Sequence, residues 1–302
     1  MISALVKSLR PKQWSKNFLL FAGVIFTANL KNLELAGRAL AGFVIFCALS
    51  GVVYLINDLK DIKSDREHPE KKNRPIASGR LPVSVALAAV FIIGLPALAG
   101  SFLLGVPFGI CAVVYVLLVT LYSLHLKHYV ILDLMLVAMG FVVRAVAGVE
   151  VMAVGETPPE ITPWFIACTL FLALFLAICK RRHEILLLTD GASNHRRVLD
   201  EYSPAFLDQM VAITTSATVI SYALWCTIAK FARYRMILTL PFVLYGIFRY
   251  LYYVYRREEG GAPEVIFLKD RSLQIDILLW LISIIILLYF IKPLPAGIGY
   301  GP

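Results

Sequence analysis

The feature that most constrains the fold is a long stretch without charge between Arg80 and Lys127. Gly105-Val106-Pro107 divides it into two apolar segments, each long enough to cross a bilayer as a helix, and predicts a tight turn between them. The chain has 302 residues, of which 59% are hydrophobic and 16% charged, and its mean hydropathy is +0.77. These values predict an all-α, polytopic membrane protein.

Nine apolar segments are expected to span the membrane in a single domain that covers residues 1–302. They are 17–30, 39–57, 83–104, 107–126, 129–149, 161–179, 206–229, 236–255 and 274–291. The first is the shortest, because its uncharged run extends only from Phe18 to Leu30, so it needs tilt or protein contacts to complete it. Residues 1–16 combine Leu5, Leu9 and Trp14 with Lys and Arg, a composition that predicts an interfacial helix.

The distribution of positive charge predicts the orientation. With the N-terminus in the cytoplasm, 21 of the 29 Lys and Arg residues fall in inside segments and six in outside segments. This bias predicts a plasma-membrane protein whose C-terminus lies outside. The basic segments are short and interrupted by spans, so membrane lipids and phosphorylated substrates suit the net charge of +9 better than nucleic acid does. The sequence leaves a homo-oligomer open.

The run N-D-L-K-D-I-K-S-D places carboxylates at the mouth of a predicted membrane segment, where charge usually has a function. Asp58, Asp61 and Asp65 are spaced i, i+3, i+7, and Asn57 lies four and eight residues before the last two. If the preceding helix continues, these four side chains share one stripe about two turns long. Since no cation is expected beside them, the repelling carboxylates require a bound ion, and their hard oxygens suit Mg²⁺. The alternative is a solvated acidic helix end.

A basic, turn-rich loop follows, from Lys71 to Arg80, and contains R-P-I-A-S-G. The two motifs, N-D-x-x-D-x-x-x-D and R-P-x-x-x-G, resemble the first signature of the UbiA superfamily of intramembrane prenyltransferases. The resemblance implies nine helices around a cavity that faces the cytoplasm. It also implies that Asp58, Asp61 and Asp65 are catalytic, and that these three residues and Asn57 bind Mg²⁺ on a diphosphate.

Other polar groups lie near the same predicted cytoplasmic side. Tyr122 and Lys127 end the fourth segment, where similar enzymes carry a tyrosine–lysine element that can meet a diphosphate, although a lysine at a helix end often only extends to the interface. In the fifth segment, Arg144 lies three turns deeper than Asp133. We expect Arg144 either to form a structural ion pair inside the bundle or to contact substrate.

The run C-K-R-R-H-E, from Cys179 to Glu184, closes the sixth segment and departs from the pattern of the superfamily. Aromatic prenyltransferases carry a second acidic motif at this place, whereas this chain has Lys180, Arg181 and Arg182. A positive-inside anchor is one explanation of these cations. The other is a cavity with an acidic metal site and a basic wall, which suits two anionic substrates.

Three elements resemble a phosphoribosyltransferase branch of the superfamily: R-P-K-Q-W-S-K-N, K-R-R-H-E and R-V-L-D-E-Y-S. The resemblance implies Mg²⁺-dependent transfer of 5-phosphoribose from phosphoribosyl pyrophosphate to a decaprenyl-type polyprenyl phosphate, for a lipid-linked arabinose precursor and cell-wall arabinan. The expected substrate-binding residues are Lys16, Asn17, Arg74, Tyr122, Lys127, Arg144, Lys180, Arg181, Arg182, Glu184 and Tyr202. Two alternatives stay open, an aromatic prenyltransferase that uses a prenyl diphosphate and a secondary transporter of an anionic metabolite.

Overall fold

The computed structural model describes residues 1–69, 71–153, 162–189, 199, 201–228 and 235–291, and the regular structure within them is helical, which confirms the all-α prediction. The α-helices are α1 Ile2–Ser8, α2 Phe21–Phe26, α3 Leu33–Lys60, α4 Ile62–Glu67, α5 Val83–Leu104, α6 Val106–Leu124, α7 Leu132–Glu150, α8 Pro163–Thr189, α9 Pro204–Ile228, α10 Leu240–Arg256, α11 Pro263–Lys269 and α12 Arg271–Tyr289. The 3₁₀ helices are Pro11–Leu20, Lys71–Asn73, Leu126–His128 and Arg235–Thr239.

Eight helices in the described ranges are long and apolar enough to cross a membrane, as expected of a multi-pass membrane protein. They correspond to the second through ninth predicted segments. The first segment, 17–30, is instead built from the end of the 3₁₀ helix and the short α2. Residues 1–16 are likewise not one helix, because Arg10 adopts a left-handed conformation before Pro11 and ends the run of α1. The total of nine spans, the interfacial location and the cavity stay predictions.

The described residues divide into two compact units, one formed by 1–25 and 29–153 and the other by 26–28 and 162–291. In the first unit, α3 packs against α5 and α6, and α6 packs against α7. In the second, α8 packs against α9, and α10 packs against α12. The spans α3 and α7 are the most buried of the first unit, and they carry the buried charged residues Asp58 and Arg144. A single domain over residues 1–302 stays a prediction.

Polar side chains and a glycine define several helix ends. The side chain of Asn32 accepts hydrogen bonds from the N–H groups of Glu34 and Leu35 at the start of α3. The predicted turn between α5 and α6 is present, and Gly105 occupies it with a φ of 148°, a conformation that favours glycine. Asp270 precedes α12; burial raises its pKa, but hydrogen bonds, first that from Arg249, hold the net pKa below the ordinary value.

Glycine allows an unusually close approach of the N-terminal segment to α7. A Cβ atom added to Gly148 would lie 2.2 Å from the carbonyl oxygen of Leu20, and one added to Gly23 would lie 2.2 Å from the carbonyl oxygen of Gly148. Both obstacles are backbone atoms, so a side chain at either position has to push the two segments apart. This contact fixes the segment that carries Asn17 against the helix that carries Arg144.

We expect Gly148→Ala to lower the midpoint of thermal unfolding in detergent, because the methyl group overpacks this crossing at a cost of about 1–3 kcal/mol. Gly37→Ala is the matched control, since a Cβ atom there meets nothing within 4 Å and alanine favours the helix by up to ~1 kcal/mol. Equal midpoints for the two variants would contradict the close approach.

Candidate functional site

The predicted acidic stripe lies where α3 passes into α4. Helix α3 ends at Lys60 and α4 begins at Ile62, yet the hydrogen-bond pattern continues across the junction. The N–H of Asp61 donates to the carbonyl of Asn57 at 3.0 Å, and the N–H of Asp65 donates to that of Asp61 at 2.8 Å. The near-helical backbone therefore keeps these side chains on one stripe, as the spacing predicts.

Burial differs along the stripe. Asp58 and Asp65 are each only 2% exposed, whereas Asn57 and Asp61 are half-buried. A buried carboxylate is costly unless a cation or hydrogen-bond donors compensate it. The stripe is therefore a site that requires positive charge, and a solvated helix end does not describe its two buried members.

The loop after α4 supplies part of that charge. The side chain of Ile76 is 2% exposed and belongs to an apolar cluster with Leu55 and Leu81, which anchors the loop. Gly79 follows with a φ of 77°, so the chain turns back toward α5. This arrangement directs Arg74 toward the stripe. The R-P-x-x-x-G motif therefore positions one guanidinium group beside the carboxylates.

Three cations contact the three carboxylates. Arg74 Nη1 donates to Asp65 Oδ2 at 2.7 Å and to Asp58 Oδ1 at 3.1 Å, so one guanidinium bridges both buried acids. Arg10 Nη2 donates to the same Asp58 oxygen at 2.6 Å. Lys127 Nζ lies 3.7 Å from Asp61 Oδ2. The expectation that no cation lies beside the stripe is wrong. Arg74 comes from the loop that follows α4, and Arg10 and Lys127 come from segments distant in sequence.

Arg10 is the residue of this site that the sequence reasoning missed. Its guanidinium carbon lies 4.6 Å from the centre of the Tyr54 ring, one turn before Asp58 on α3. Leu9 packs against Gly51, where an added Cβ would lie 2.7 Å from Leu9 Cδ2. The only local signal was a cation before proline in an otherwise interfacial segment, and nothing in that pattern indicates contact with an acid 48 residues away.

The donor set of the stripe fits Mg²⁺, which prefers carboxylate and amide oxygens and keeps several waters. No three His, Cys, Asp or Glu side chains within the described residues converge into a metal-binding group. However, Asp58 and Asp65 converge on one cationic nitrogen of Arg74, so their oxygens already form a bridging position for a cation. The residues that would hold a divalent ion here are Asp58 and Asp65, with Asn57 and Asp61 on the same stripe.

Arg144 lies in α7 and is only 6% exposed. Its Nε donates to Asn17 Oδ1 at 2.8 Å, and its Nη1 donates to the carbonyl of Gly140 at 2.8 Å. Its Nη2 donates to the hydroxyl of Tyr115 at 2.8 Å, and its guanidinium carbon lies 4.6 Å from the centre of that ring. The predicted structural ion pair is therefore wrong, because the partners of Arg144 are neutral and a tyrosine face balances part of the charge.

A small polar network extends from Arg144 to α3. Asn17 Nδ2 donates to Ser50 Oγ at 3.2 Å and to Cys47 Sγ at 3.3 Å. The hydroxyl of Tyr115 also donates to Ser50 Oγ, at 3.3 Å. Asn17 is thus committed to holding the N-terminal segment against α3 and α7. Its predicted contact with substrate stays a prediction.

The basic run at the end of α8 belongs to the second unit, and two of its cations are neutralised by acids of that unit. Arg181 Nη1 lies 2.5 Å from Glu184 Oε2, one turn along the helix. Arg182 Nε donates to Asp208 Oδ1 at 2.6 Å. Lys180 is exposed, and its side chain forms no hydrogen bond or ion pair with another described residue. The three cations therefore point in different directions, as the 100° rotation per residue requires.

Tyr255 completes the contact of Arg182. Its hydroxyl donates to the same Asp208 oxygen at 2.8 Å, and the guanidinium carbon lies 4.4 Å from the ring centre. Gly261 packs against His183 of the same run, where an added Cβ would lie 2.1 Å from His183 Cδ2. Sequence reasoning did not identify Asp208 or Tyr255 as partners of the run, because they lie on other helices.

Three further residues are predicted to bind substrate: Lys16, Tyr122 and Tyr202. Lys16 and Tyr122 are half-buried in the first unit. Tyr202 is buried in the second unit, where its ring stacks with that of Phe206 at 6.2 Å between centres. Their roles toward substrate stay predictions.

Comparison with known proteins extends the match beyond the motifs. Residues 17–270 match the model of the UbiA prenyltransferase family. A Corynebacterium glutamicum protein named decaprenyl-phosphate phosphoribosyltransferase is 35% identical over 96% of this chain and 88% of its own length. Proteins of the same name from Mycolicibacterium smegmatis and Mycobacterium tuberculosis are 32% and 30% identical, over 96% and 94% of this chain and 94% of each relative.

Solved structures agree with the fold. A UbiA homologue from Archaeoglobus fulgidus, bound to GPP and Mg²⁺, superposes with a TM-score of 0.70 over 94% of this chain and 99% of that chain, at 19% identity. The same homologue bound to DMAPP and Mg²⁺ superposes with a TM-score of 0.70 at 18% identity, over 95% of this chain and 99% of the other. The chain therefore belongs to the UbiA prenyltransferase family.

Proposed function

We propose that this protein transfers 5-phosphoribose from phosphoribosyl pyrophosphate to a decaprenyl-type polyprenyl phosphate and releases pyrophosphate. The observation that carries the proposal is the likeness, over 94–96% of the chain, to relatives that bear the name decaprenyl-phosphate phosphoribosyltransferase. The product would supply a lipid-linked arabinose precursor for cell-wall arabinan. The excess of positive charge in the predicted inside segments supports an active site at the cytoplasmic face.

The reaction exchanges one bond at C1 of the ribose. A phosphate oxygen of the lipid attacks C1, and the bond from C1 to the pyrophosphate oxygen breaks, so pyrophosphate leaves with the electron pair. The lipid phosphate is already ionised near neutral pH, so the attack requires no general base. Bound Mg²⁺ would neutralise the developing charge on pyrophosphate as a Lewis acid.

The stripe and the cations of the chain have different proposed roles. Asn57, Asp58, Asp61 and Asp65 would hold Mg²⁺ and through it the diphosphate. Arg74 and Lys127 already lie against these carboxylates, within reach of a diphosphate placed there. Guanidinium groups suit phosphate oxygens because they donate in a planar fork. Lys180, exposed at the end of α8, is the cation of the basic run that an incoming phosphate can meet without displacing an ion pair.

We expect Asp61→Asn to lower turnover by roughly 100-fold or more, because metal-ion charge stabilisation is worth several kcal/mol. Asp61 is half-buried, so the variant should fold with an unfolding midpoint close to that of the wild type. Transfer should also stop with EDTA and return with Mg²⁺. The measurement is the incorporation of radiolabelled phosphoribose into lipid.

Glu67→Gln is the matched control, since this exposed acid on α4 lies just beyond the stripe and should leave turnover unchanged. Normal turnover of a stably folded Asp61→Asn protein would remove the metal-site assignment.

Alanine variants of the basic run should separate binding from structure. Lys180→Ala should raise the apparent KM for an anionic substrate and leave the unfolding midpoint unchanged, since the side chain is exposed. Arg182→Ala should lower the midpoint, because Asp208 then loses its cation and Tyr255 loses its stacking partner. If both variants keep wild-type kinetics, the run is only a positive-inside anchor.

The acceptor's phosphate should be indispensable. A polyprenol of the same chain length offers the same apolar tail but no charge for Lys or Arg, so we expect neither product nor useful competition. The comparison is lipid-soluble label with polyprenyl phosphate against label with polyprenol.

The same preparation distinguishes the two alternatives. Prenylation of 4-hydroxybenzoate from a prenyl diphosphate, without ribose transfer, would establish an aromatic prenyltransferase. Uptake of label into vesicles without lipid-soluble product would establish a transporter.

A further inference from the structure

Two arginines, Arg10 and Arg74, pair with the buried carboxylates of the acidic stripe. We infer that Arg10 and Arg74 are tethered counter-ions that hold the Asp58–Asp65 pair until a metal–diphosphate arrives, and that they then transfer their donors to the diphosphate. The inference rests on the proposed function, since it concerns the same donor substrate. It adds Arg10 to the site and gives binding an order in which the metal enters together with the anion.

The contacts show that Arg10 and Arg74 occupy the position a metal would need. Both donate to the same atom, Asp58 Oδ1, at 2.6 Å and 3.1 Å. Arg74 also reaches Asp65 Oδ2 at 2.7 Å. A metal held through these two oxygens would compete with the guanidinium groups for them. Metal binding and arginine pairing therefore oppose one another at Asp58 Oδ1 and Asp65 Oδ2.

Charge balance sets the direction of this competition. Three carboxylates of the stripe face Arg10, Arg74 and Lys127, so the cluster is neutral as it stands. A divalent cation added alone leaves two positive charges in a half-buried site, which is unfavourable at low dielectric. A diphosphate that accompanies the metal restores the balance and gives the displaced guanidinium groups new acceptors.

The backbones of Arg10 and Arg74 are held in place while their guanidinium groups stay partly exposed. The guanidinium groups can therefore exchange a carboxylate for a phosphate without a change of fold. Arg10 has a left-handed backbone, φ 52° and ψ 62°, at the junction between α1 and the following 3₁₀ helix. Leu9 packs on Gly51 and the guanidinium lies over the Tyr54 ring, so α3 positions both ends of this residue. The exposed fractions of the side chains are 28% for Arg10 and 25% for Arg74, which leaves donors available to an incoming phosphate.

The test measures binding of metal alone, by the electron paramagnetic resonance signal of free Mn²⁺ titrated with the full-length protein in detergent. Arg10→Gln and Arg74→Gln should each bind Mn²⁺ roughly tenfold or more tightly than the wild type, as expected when a unit charge a few ångströms from a divalent ion is removed. In the presence of Mn²⁺, the same variants should bind inorganic pyrophosphate more weakly. The opposite signs of the two changes identify counter-ions that transfer from carboxylate to phosphate.

Lys72→Gln is the matched control, because Lys72 is an exposed cation in the same loop as Arg74, and both of its affinities should be unchanged. Thermal unfolding establishes that each variant is folded, and either arginine variant alone is sufficient for the test. Mn²⁺ binding that is weaker or unchanged in a folded Arg10→Gln or Arg74→Gln protein would overturn the inference. If the affinities change as expected but no ribose is transferred, the proposed function fails and the counter-ion exchange stands.

Discussion

The shared ion pair of Arg74 with Asp58 and Asp65 is the interaction on which the end of the first unit that carries the acidic stripe depends. Two carboxylates that are each 2% exposed repel one another unless a cation lies between them. Arg74 supplies that cation from a loop anchored by the buried Ile76. The interaction therefore joins the end of α3, the short α4 and the entry to α5. Under the proposed function, a metal–diphosphate that binds these carboxylates would compete with the guanidinium group of Arg74.

Four contacts hold the N-terminal segment against the helices of the first unit. Leu9 packs on Gly51, Arg10 pairs with Asp58, Asn17 accepts from Arg144, and Leu20 lies against Gly148. Each contact requires an exact residue type: two glycines for space, an acid for a cation, and an amide for a guanidinium. A segment whose composition indicates an interfacial helix is in this way built into the bundle. Of its polar residues, Arg10 and Asn17 have partners on α3 and α7, whereas Lys12 and Ser15 are exposed.

The features that the sequence predicted correctly depend on the pattern of neighbouring residues. The uncharged stretch after Arg80 located two spans and their turn at Gly105, and the spacing of Asp58, Asp61 and Asp65 predicted a shared face. What it missed depends on distant contacts. Arg10 contacts Asp58, which lies 48 residues later in the sequence. Arg144 donates to the amide of Asn17 and the hydroxyl of Tyr115, where an ion pair was one of the two expectations. Neither partner leaves a periodic signal, since both are single residues on other segments.

In both units, charged side chains are neutralised by side chains of opposite charge from other segments, and the signs of the charges are reversed between the units. In the first, carboxylates of the stripe are neutralised by cations from other segments, and in the second, Arg182 is neutralised by Asp208. An anion that binds at either place has to offer more than the internal partner it replaces. Phosphate and diphosphate groups carry enough charge to compete, whereas a neutral or singly charged aromatic acceptor gains little by displacing a well-formed pair. Under the proposed function, these paired charges would favour phosphorylated ligands over neutral acceptors.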